Sequence, residues 1–509
     1  MPQTTQTSWL AEQIDLYSSI DPTAPELEVN ERWFTWGEIM AASERLVSLL
    51  EQNGIGPDMR VGMMLRNSAP MVPALIAMFR TGRCVASINA SAPDEKLVED
   101  LLKSKVPVVV ALEDEWQRAG LIDAARQIGA IGIVLPVELT EAPRLIDSLP
   151  GDSSKWENAH APGVAIEMLS SGTTGTPKRI PLPRDRFEKA LQGAAAFEAG
   201  RDPEQKPKLR SGVQIITNPL AHISGITHVM NNFLGGRKIC VIEKFTVDGF
   251  ASALVRHRPK VAGAPPAALR MLLDADLPDD TYSSLLAYRT GTAPLDPDLA
   301  DAFFDRYGVP VLQAYGATEF AGGVAGWTLQ DFNAHWKTKR GAVGRVNKGV
   351  DARIVDPETG KVLKPGEQGL LELRGGNSGS KDWTRTTDLA ELDEDNFLYI
   401  RGRYDGAIIR GGFKIQPTDV IEAMEAHPAI REAAVVGLPD KRLGEVPVAG
   451  YLLKTGATAP AEDELRAFLK ERLMPYQVPV EMRCMDDFPR TPSLKVSQPE
   501  LRKLFETQG

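Results

Sequence analysis

The sequence predicts an α/β protein of at least two domains, on three observations. Short apolar, β-rich runs alternate with helical patterns over most of the chain, the signature of layered sheets with largely parallel strands. The chain has 509 residues, more than one ordinary hydrophobic core organises. The texture then changes after residues 399–403, beyond which short strands and helices alternate quickly.

The β-rich runs include residues 106–112, 131–135, 213–217 and 239–242, and helical stretches such as 97–103 and 184–197 lie between them. A helix is expected to open near Pro417, because proline suits a first helical position, and to bury Val420, Ile421 and Met424. Another is expected over 461–474, with Leu465, Phe468, Leu469 and Leu473 on one face. These patterns place a domain boundary close to Asp405, giving units of 1–404 and 405–509.

The formal charge of −10, with no Lys/Arg-rich block, argues against a nucleic-acid partner. Cys84, Cys240 and Cys484 lie far apart without CxxC spacing and read as reduced, buried thiols of a cytoplasmic protein. The N-terminus has no basic segment followed by an apolar one, so no signal peptide is expected. The longest apolar stretches, such as 71–79, are too short to span a bilayer. The six histidines are scattered, and a structural zinc site is not expected.

The most specific segment is Leu169-Ser170-Ser171-Gly172-Thr173-Thr174-Gly175-Thr176-Pro177-Lys178, directly after the apolar run 164–169. Glycine lets backbone amides approach an anion, hydroxyls donate to phosphate oxygens, and lysine adds a compact positive charge. The segment is not a Walker A loop: Gly172 and Gly175 are three apart, and Thr176-Pro177 separates Gly175 from Lys178. Its order resembles the phosphate loop of the adenylate-forming (AMP-binding) superfamily of acyl-CoA synthetases, luciferases and peptide-synthetase adenylation domains.

Further segments carry the same resemblance in the family's order. Gln313-Ala314-Tyr315-Gly316-Ala317-Thr318-Glu319 resembles the Tyr-Gly-x-Thr-Glu motif, which implies Tyr315 and Gly316 against adenine, Thr318 at the α-phosphate and Glu319 as a Mg²⁺ ligand. Thr292-Ala293-Pro294, after Gly291, resembles the turn that lines the adenine pocket. Asp388, some fifteen residues before Gly402-Arg403, resembles the ribose-binding carboxylate, with Arg403 as its companion. Thr387 stands where the family commonly has glycine, and the stretch 375–383 is shorter than usual. Asp405 falls at the family's hinge, and Gly411-Gly412 resembles the loop that meets the pantetheine arm of CoA. Lys495 matches the lysine of the family's last motif, which bridges carboxylate and α-phosphate, while Leu494 replaces the usual glycine. His222, within 218–225, matches the acyl-pocket motif, shaping the carboxylate site; an aspartate there would hold an amino-acid ammonium, so an α-amino acid substrate is disfavoured.

The resemblance implies a large multi-subdomain N-terminal α/β domain with layered sheets and a smaller mobile α+β C-terminal domain. It implies an acid–CoA ligase using ATP, Mg²⁺ and CoA on a small-molecule carboxylic acid. Rival readings are an adenylate former that loads a separate carrier protein, a catalytically silent ligand-binding relative and, more distantly, a luciferase-like oxygenase. Few residues follow Lys495, so a fused carrier is not expected. The small apolar run 320–326 suggests a roomy rather than a charged pocket, compatible with fatty, aryl or polycyclic acids. A homodimer is the commonest assembly for such a soluble enzyme.

Overall fold

The computed structural model describes residues 8–92, 94–169, 179–196, 206–317, 322–376, 380–410, 413–440, 443–491 and 494–506. Four sheets organise them. A seven-stranded sheet runs in the order Arg144–Pro150, Ile131–Leu135, Val108–Leu112, Arg60–Leu65, Cys84–Asn89, Val164–Leu169 and Arg179–Pro183. Its five inner strands are parallel and each outer one is antiparallel to its neighbour. Arg60–Leu65, Val108–Leu112 and Ile131–Leu135 are buried along their whole length, which is why they read as continuous apolar runs. The helix Met71–Arg80 is apolar on nearly every side and almost wholly buried.

A four-stranded sheet pairs Arg210–Ile216, Arg237–Val241, Pro25–Val29 and Arg32–Thr35. A nine-stranded sheet runs Val261–Gly263, Ala287–Gly291, Val311–Ala317, Gly322–Gly326, Gly344–Val346, Phe397–Arg403, Ser380–Leu392, Gly369–Gly375 and Val350–Val355. The expectation of largely parallel sheets fails here. Only the first three strands are parallel, and every later pairing is antiparallel. Parallel neighbours need a crossover of a dozen or more residues. Beyond Gly322 most links between strands are short, so the chain turns back on itself.

Through the short turn Tyr404–Gly406 the chain leaves this sheet and enters a five-stranded one. That sheet runs Phe413–Ile415, Ile408–Arg410, Gly444–Leu453 and Ile430–Asp440, with Glu481–Cys484 beside Gly444–Leu453. Its helix Pro417–Glu425 opens on proline and buries Val420 and Met424, with Ile421 half-buried. The helix expected over 461–474 is shorter, Glu462–Lys470, although Leu473 still reaches the core. Met474 precedes Pro475, and a residue before proline is pushed out of helical backbone. Cys84 and Cys240 are buried as expected, but Cys484 is exposed, on the edge strand Glu481–Cys484. Among the described residues no helix is long and apolar enough to cross a membrane.

Among the described residues, contacts that join the small sheet's unit to the larger one include a hydrogen bond from Thr418 Oγ1 to the Arg401 carbonyl at 2.9 Å. Arg431 forms an ion pair with Asp274 at 3.0 Å. Leu494 packs on a cluster that includes Phe250, Leu269, Tyr288 and Phe303.

The seven-stranded sheet carries a charge inside it. Arg60 Nε donates to Glu167 Oε2 at 3.0 Å, and Arg60 Nη1 donates to the carbonyls of Ser104 (2.7 Å) and Asn158 (3.2 Å). Both side chains are largely buried, 9% and 14% exposed. Removing one partner would strand the other, which costs about 3–5 kcal/mol, whereas removing both costs less. Chemical denaturation should therefore find Glu167→Ala destabilised by about that amount and Arg60→Met/Glu167→Met by less than the sum of the single changes. Additive losses would show that the pair is not coupled.

Candidate active site

The loop Ser170, Ser171, Gly172, Thr173, Thr174, Gly175 through Lys178 lies outside the described residues, but both its stems are fixed. Val164–Leu169 leads into it and Arg179–Pro183 leaves it antiparallel, with Leu169 opposite Arg179. Arg179 is clamped by Asp100 at 2.7 Å and donates to the Ser87 carbonyl at 3.1 Å. The loop therefore springs from the carboxyl end of a mainly parallel sheet, where open α/β folds bind their ligands.

The nine-stranded sheet gathers the next group. Val311–Ala317 ends in Tyr315 and Gly316, and pairs with Gly322–Gly326 through Tyr315–Ala325 and Gly316–Gly323. Thr318 and Glu319 lie outside the described residues. The Tyr315 hydroxyl donates to Asp388 Oδ2, joining residues 73 apart in sequence. Asp388 in turn pairs through its backbone with Arg403 on the adjacent strand, and its N–H donates to Thr386 Oγ1 at 3.1 Å. The side chain of Arg403 lies outside the described residues.

Gly291 pairs with Ala314, and a Cβ added there would meet the Ala314 carbonyl oxygen at 2.7 Å, so the close approach requires glycine. Thr292 follows in left-handed backbone with φ +67°, and Gln313 Nε2 reaches the Ala293 carbonyl at 3.5 Å. Thr292, Ala293 and Pro294 thus form a turn alongside the strand that ends in Tyr315. The structure brings together Thr292, Ala293, Tyr315 and Asp388 with the backbone of Arg403.

His222 is the N-cap residue of the helix Ile223–Phe233, and its N–H donates to the Pro219 carbonyl at 2.9 Å. A Cβ on Gly225 would lie 2.2 Å from the Pro219 carbonyl oxygen, which explains the glycine that follows. Burial, and then the charge of Lys495, push the His222 imidazole down from 6.5 to about 4. Lys495 therefore stands near His222, across more than 270 residues of sequence.

Lys495 is held in a tight loop. Arg490 and Val496 bridge antiparallel, Thr491 N–H donates to the Lys495 carbonyl at 2.7 Å, and Leu494 N–H donates to the Thr491 carbonyl at 2.8 Å. Arg490 anchors the loop to Glu432 through two bonds of 3.1 and 2.7 Å. Leu494 takes φ +60°, the conformation for which glycine is the unstrained residue. Gly411 and Gly412 lie outside the described residues; the strands flanking them, Ile408–Arg410 and Phe413–Ile415, form a hairpin.

Sequence reasoning missed two basic side chains of this region. His228 lies on the His222 helix, with Nδ1 3.1 Å from Asn218 Oδ1. Arg289 lies on the strand that ends at Gly291. The available signals were a second histidine six residues after His222 and an arginine two residues before the Gly291–Pro294 turn.

Comparison with known proteins shows the family of the chain. The AMP-binding enzyme family profile matches residues 18–380, and that of the AMP-binding enzyme C-terminal domain matches 421–495. The chain is 26% identical over 520 residues to a 2-succinylbenzoate–CoA ligase of Bacillus cereus, spanning 99% of each chain. It is 28% identical over 424 residues to 4-coumarate–CoA ligase-like 3 of Arabidopsis thaliana, covering 79% of this chain and 72% of that one. Its fold matches ATP-bound MatB from Rhodopseudomonas palustris with TM-score 0.79 at 24% identity, over 98% of each chain. It also matches o-succinylbenzoate CoA synthetase (MenE) from Bacillus subtilis with the acyl-adenylate intermediate OSB-AMP, with TM-score 0.76 at 24% identity over 98% of each chain. With a family profile spanning well over half of its length, this chain belongs to the AMP-binding enzyme family.

Proposed function

We infer that this chain is an AMP-forming acid–CoA ligase, which activates a carboxylic acid with ATP and passes the acyl group to CoA. The observation that carries the reading is the placement of Lys495 beside His222, in the same fold that joins Tyr315 to Asp388. CoA-ligase relatives that align over nearly the whole chain support it.

A carboxylate is a poor acyl donor because oxide is a bad leaving group. In the first step a carboxylate oxygen attacks the α-phosphorus of ATP, and the bond to the β-phosphate breaks with loss of pyrophosphate. Such transfers are accelerated mainly by positioning and by charge stabilisation. Ser170–Lys178 is assigned to the β- and γ-phosphates and Thr318 to the α-phosphate. Tyr315, Gly316 and the Thr292-Ala293-Pro294 turn are assigned to adenine. Asp388 Oδ2 is engaged by Tyr315 while Oδ1 takes no hydrogen bond from a described residue, which suits it to accept from ribose, beside Arg403. Mg²⁺, for which Glu319 is the assigned ligand, supplies charge neutralisation of the phosphates when bound. Lys495 offsets charge between carboxylate and α-phosphate, and His222 shapes the carboxylate pocket. In the second step the CoA sulfur attacks the acyl carbon, its proton is lost and AMP leaves. We assign the boundary between units 1–404 and 405–509 to a hinge at Asp405, whose rotation withdraws Lys495 and presents Gly411 and Gly412 to the thiol arm. A cytoplasmic location fits the reduced Cys84 and Cys240.

Pyrophosphate release across a panel of acids, with and without CoA, tests the reading. A ligase requires an acid and turns over only with CoA. Slow release indifferent to CoA would mean a carrier-protein acceptor, and no release with any acid would leave a catalytically silent relative.

Lys495→Ala should lower adenylation by about 10²–10³-fold, yet spare thioester formation from supplied acyl-adenylate. Asp405→Pro should do the reverse. Equal losses in both half-reactions for either variant would remove its assigned role.

The low pKa of His222 sets a pH dependence. It lies below the ordinary value of 6.5, so its contribution to stability is complete above pH 6.5 and is lost as pH falls through about 4. His222→Gln should flatten that acid-side loss while leaving the shape of the pyrophosphate-release profile above pH 6 unchanged. An activity limb near pH 6.5 that vanished in the variant would contradict the assignment.

A further inference from the structure

Three side chains that the reaction does not use meet on the four-stranded sheet. Glu28, Cys240 and His257 each offer one ligand atom, and these atoms all lie within 4.8 Å of one another. Glu28 and Cys240 are register partners on the neighbouring parallel strands Pro25–Val29 and Arg237–Val241. His257 is the last residue of the helix Val247–His257. It stands three and four residues after Leu254 and Ala253, which pack with Cys240, so it shares the face turned to the sheet. Trp33, paired with Glu28 from the other side, meets the His257 ring edge-on with centroids 5.9 Å apart.

The group is not a completed ion pair. The side chains of Glu28 and His257 are 2% and 9% exposed, and Glu28 Oε2 lies 2.7 Å from His257 Nε2. Neither atom has an aligned hydrogen bond with any described residue. Two buried polar atoms thus face each other with bonding capacity unused, and such orphans call for a partner. The other carboxylate oxygen is taken: Arg256 donates to Glu28 Oε1 at 2.7 Å, and the Cys240 thiol approaches it at 3.9 Å. Arg256 does not cancel the local negative charge, because Glu31 pairs with it at 2.9 Å. Burial lowers the His257 pKa against the pull of Glu28, which keeps the ring neutral, the form that ligates metals.

We propose that Glu28, Cys240 and His257 bind a zinc ion that ties the two strands to the helix. Nitrogen, sulfur and carboxylate oxygen together suit Zn²⁺, whereas Mg²⁺ and Ca²⁺ take oxygen ligands. Ligands about 2.0–2.3 Å from a shared tetrahedral ion lie about 3.3–3.7 Å from one another, so small side-chain movements complete the site. Water takes the fourth position. Binding forms Zn–N, Zn–O and Zn–S bonds and breaks the Cys240 S–H bond, whose proton passes to solvent. Carboxylate and thiolate then balance the dication. Cys240 also pairs with Ile215, on the strand that leads into residues 218–225, so the ion braces that strand as well. The ligands are spread from residue 28 to residue 257 over two strands and a helix, which is why histidine spacing gave no sign of zinc. The proposal does not depend on the ligase reading.

The test takes the full chain, stripped with a chelator and kept reduced without added thiol, and titrates it with Zn²⁺ or Co²⁺ alone at neutral pH. Equilibrium dialysis should find one tightly held ion per chain, with Kd of about 1 μM or lower. Co²⁺ should give the charge-transfer absorption of a cobalt–thiolate bond. Burial pushes the Cys240 thiol up to about 12, so calorimetry in buffers of different ionisation enthalpy should count about one proton released per ion. Cys240→Ala should abolish the absorption, and both it and His257→Gln should weaken binding at least about 100-fold. Cys484→Ser, which removes the exposed thiol, should retain both signals. Zn²⁺ should raise the thermal midpoint of the wild type by about 2–4 °C and leave that of Cys240→Ala unchanged. Absorption or tight binding that survives in Cys240→Ala, or is lost in Cys484→Ser, would overturn the proposal. Should Cys240→Ala fail to fold, the wild type decides: no charge-transfer band, or no released proton, would equally overturn it.

Discussion

The position of Lys495 rests on the docking of its neighbour Leu494 on the apolar cluster that includes Tyr288 and Phe303. Left-handed backbone costs a non-glycine residue about 1–2 kcal/mol. Leu494 accepts that conformation within a loop closed by its own hydrogen bonds and anchored by Arg490 to Glu432. Burying part of a leucine side chain returns an amount of the same order. A glycine there would remove the strain and the contact together. With leucine, the backbone strain and the interdomain contact become a single property of the loop, and the next residue, Lys495, is delivered beside His222.

The ion pair between the units is weak by its chemistry. Arg431 and Asp274 are each about a third exposed, 28% and 32%, and surface pairs of this kind contribute between nothing and about 1 kcal/mol. A half-buried leucine, an exposed ion pair and the Thr418–Arg401 hydrogen bond make a modest interface. The proposed withdrawal of the lysine for a second step would need such an interface, because a large dry one would trap the first arrangement.

The candidate residues were legible because they occur in short ordered motifs. Tyr315, Asp388, Thr292 and Lys495 could each be named from local sequence, and the structure places Lys495 by His222 and Tyr315 on Asp388. What local sequence could not supply was register. The Tyr315–Asp388 bond follows from a sheet in which Val311–Ala317 and Ser380–Leu392 are separated by three other strands in the same layer. The antiparallel half of that sheet was misread as parallel because apolar runs report burial and not strand direction. The helix after Ala461 was drawn too long because Leu473 keeps the apolar period beyond the last helical turn.

The order of the pieces along the chain suits the proposed use of one site for two reactions. Tyr315, Asp388 and Arg403 all belong to the nine-stranded sheet, and Asp388 is locked to Arg403 by backbone pairing at the last residue before the Tyr404–Gly406 turn. Everything assigned to the nucleotide therefore lies upstream of the proposed hinge in sequence, and everything assigned to alternate between steps, Lys495 and Gly411-Gly412, lies downstream of it. Rotation about Asp405 would exchange the lysine for the glycine loop without disturbing the Tyr315–Asp388 bond.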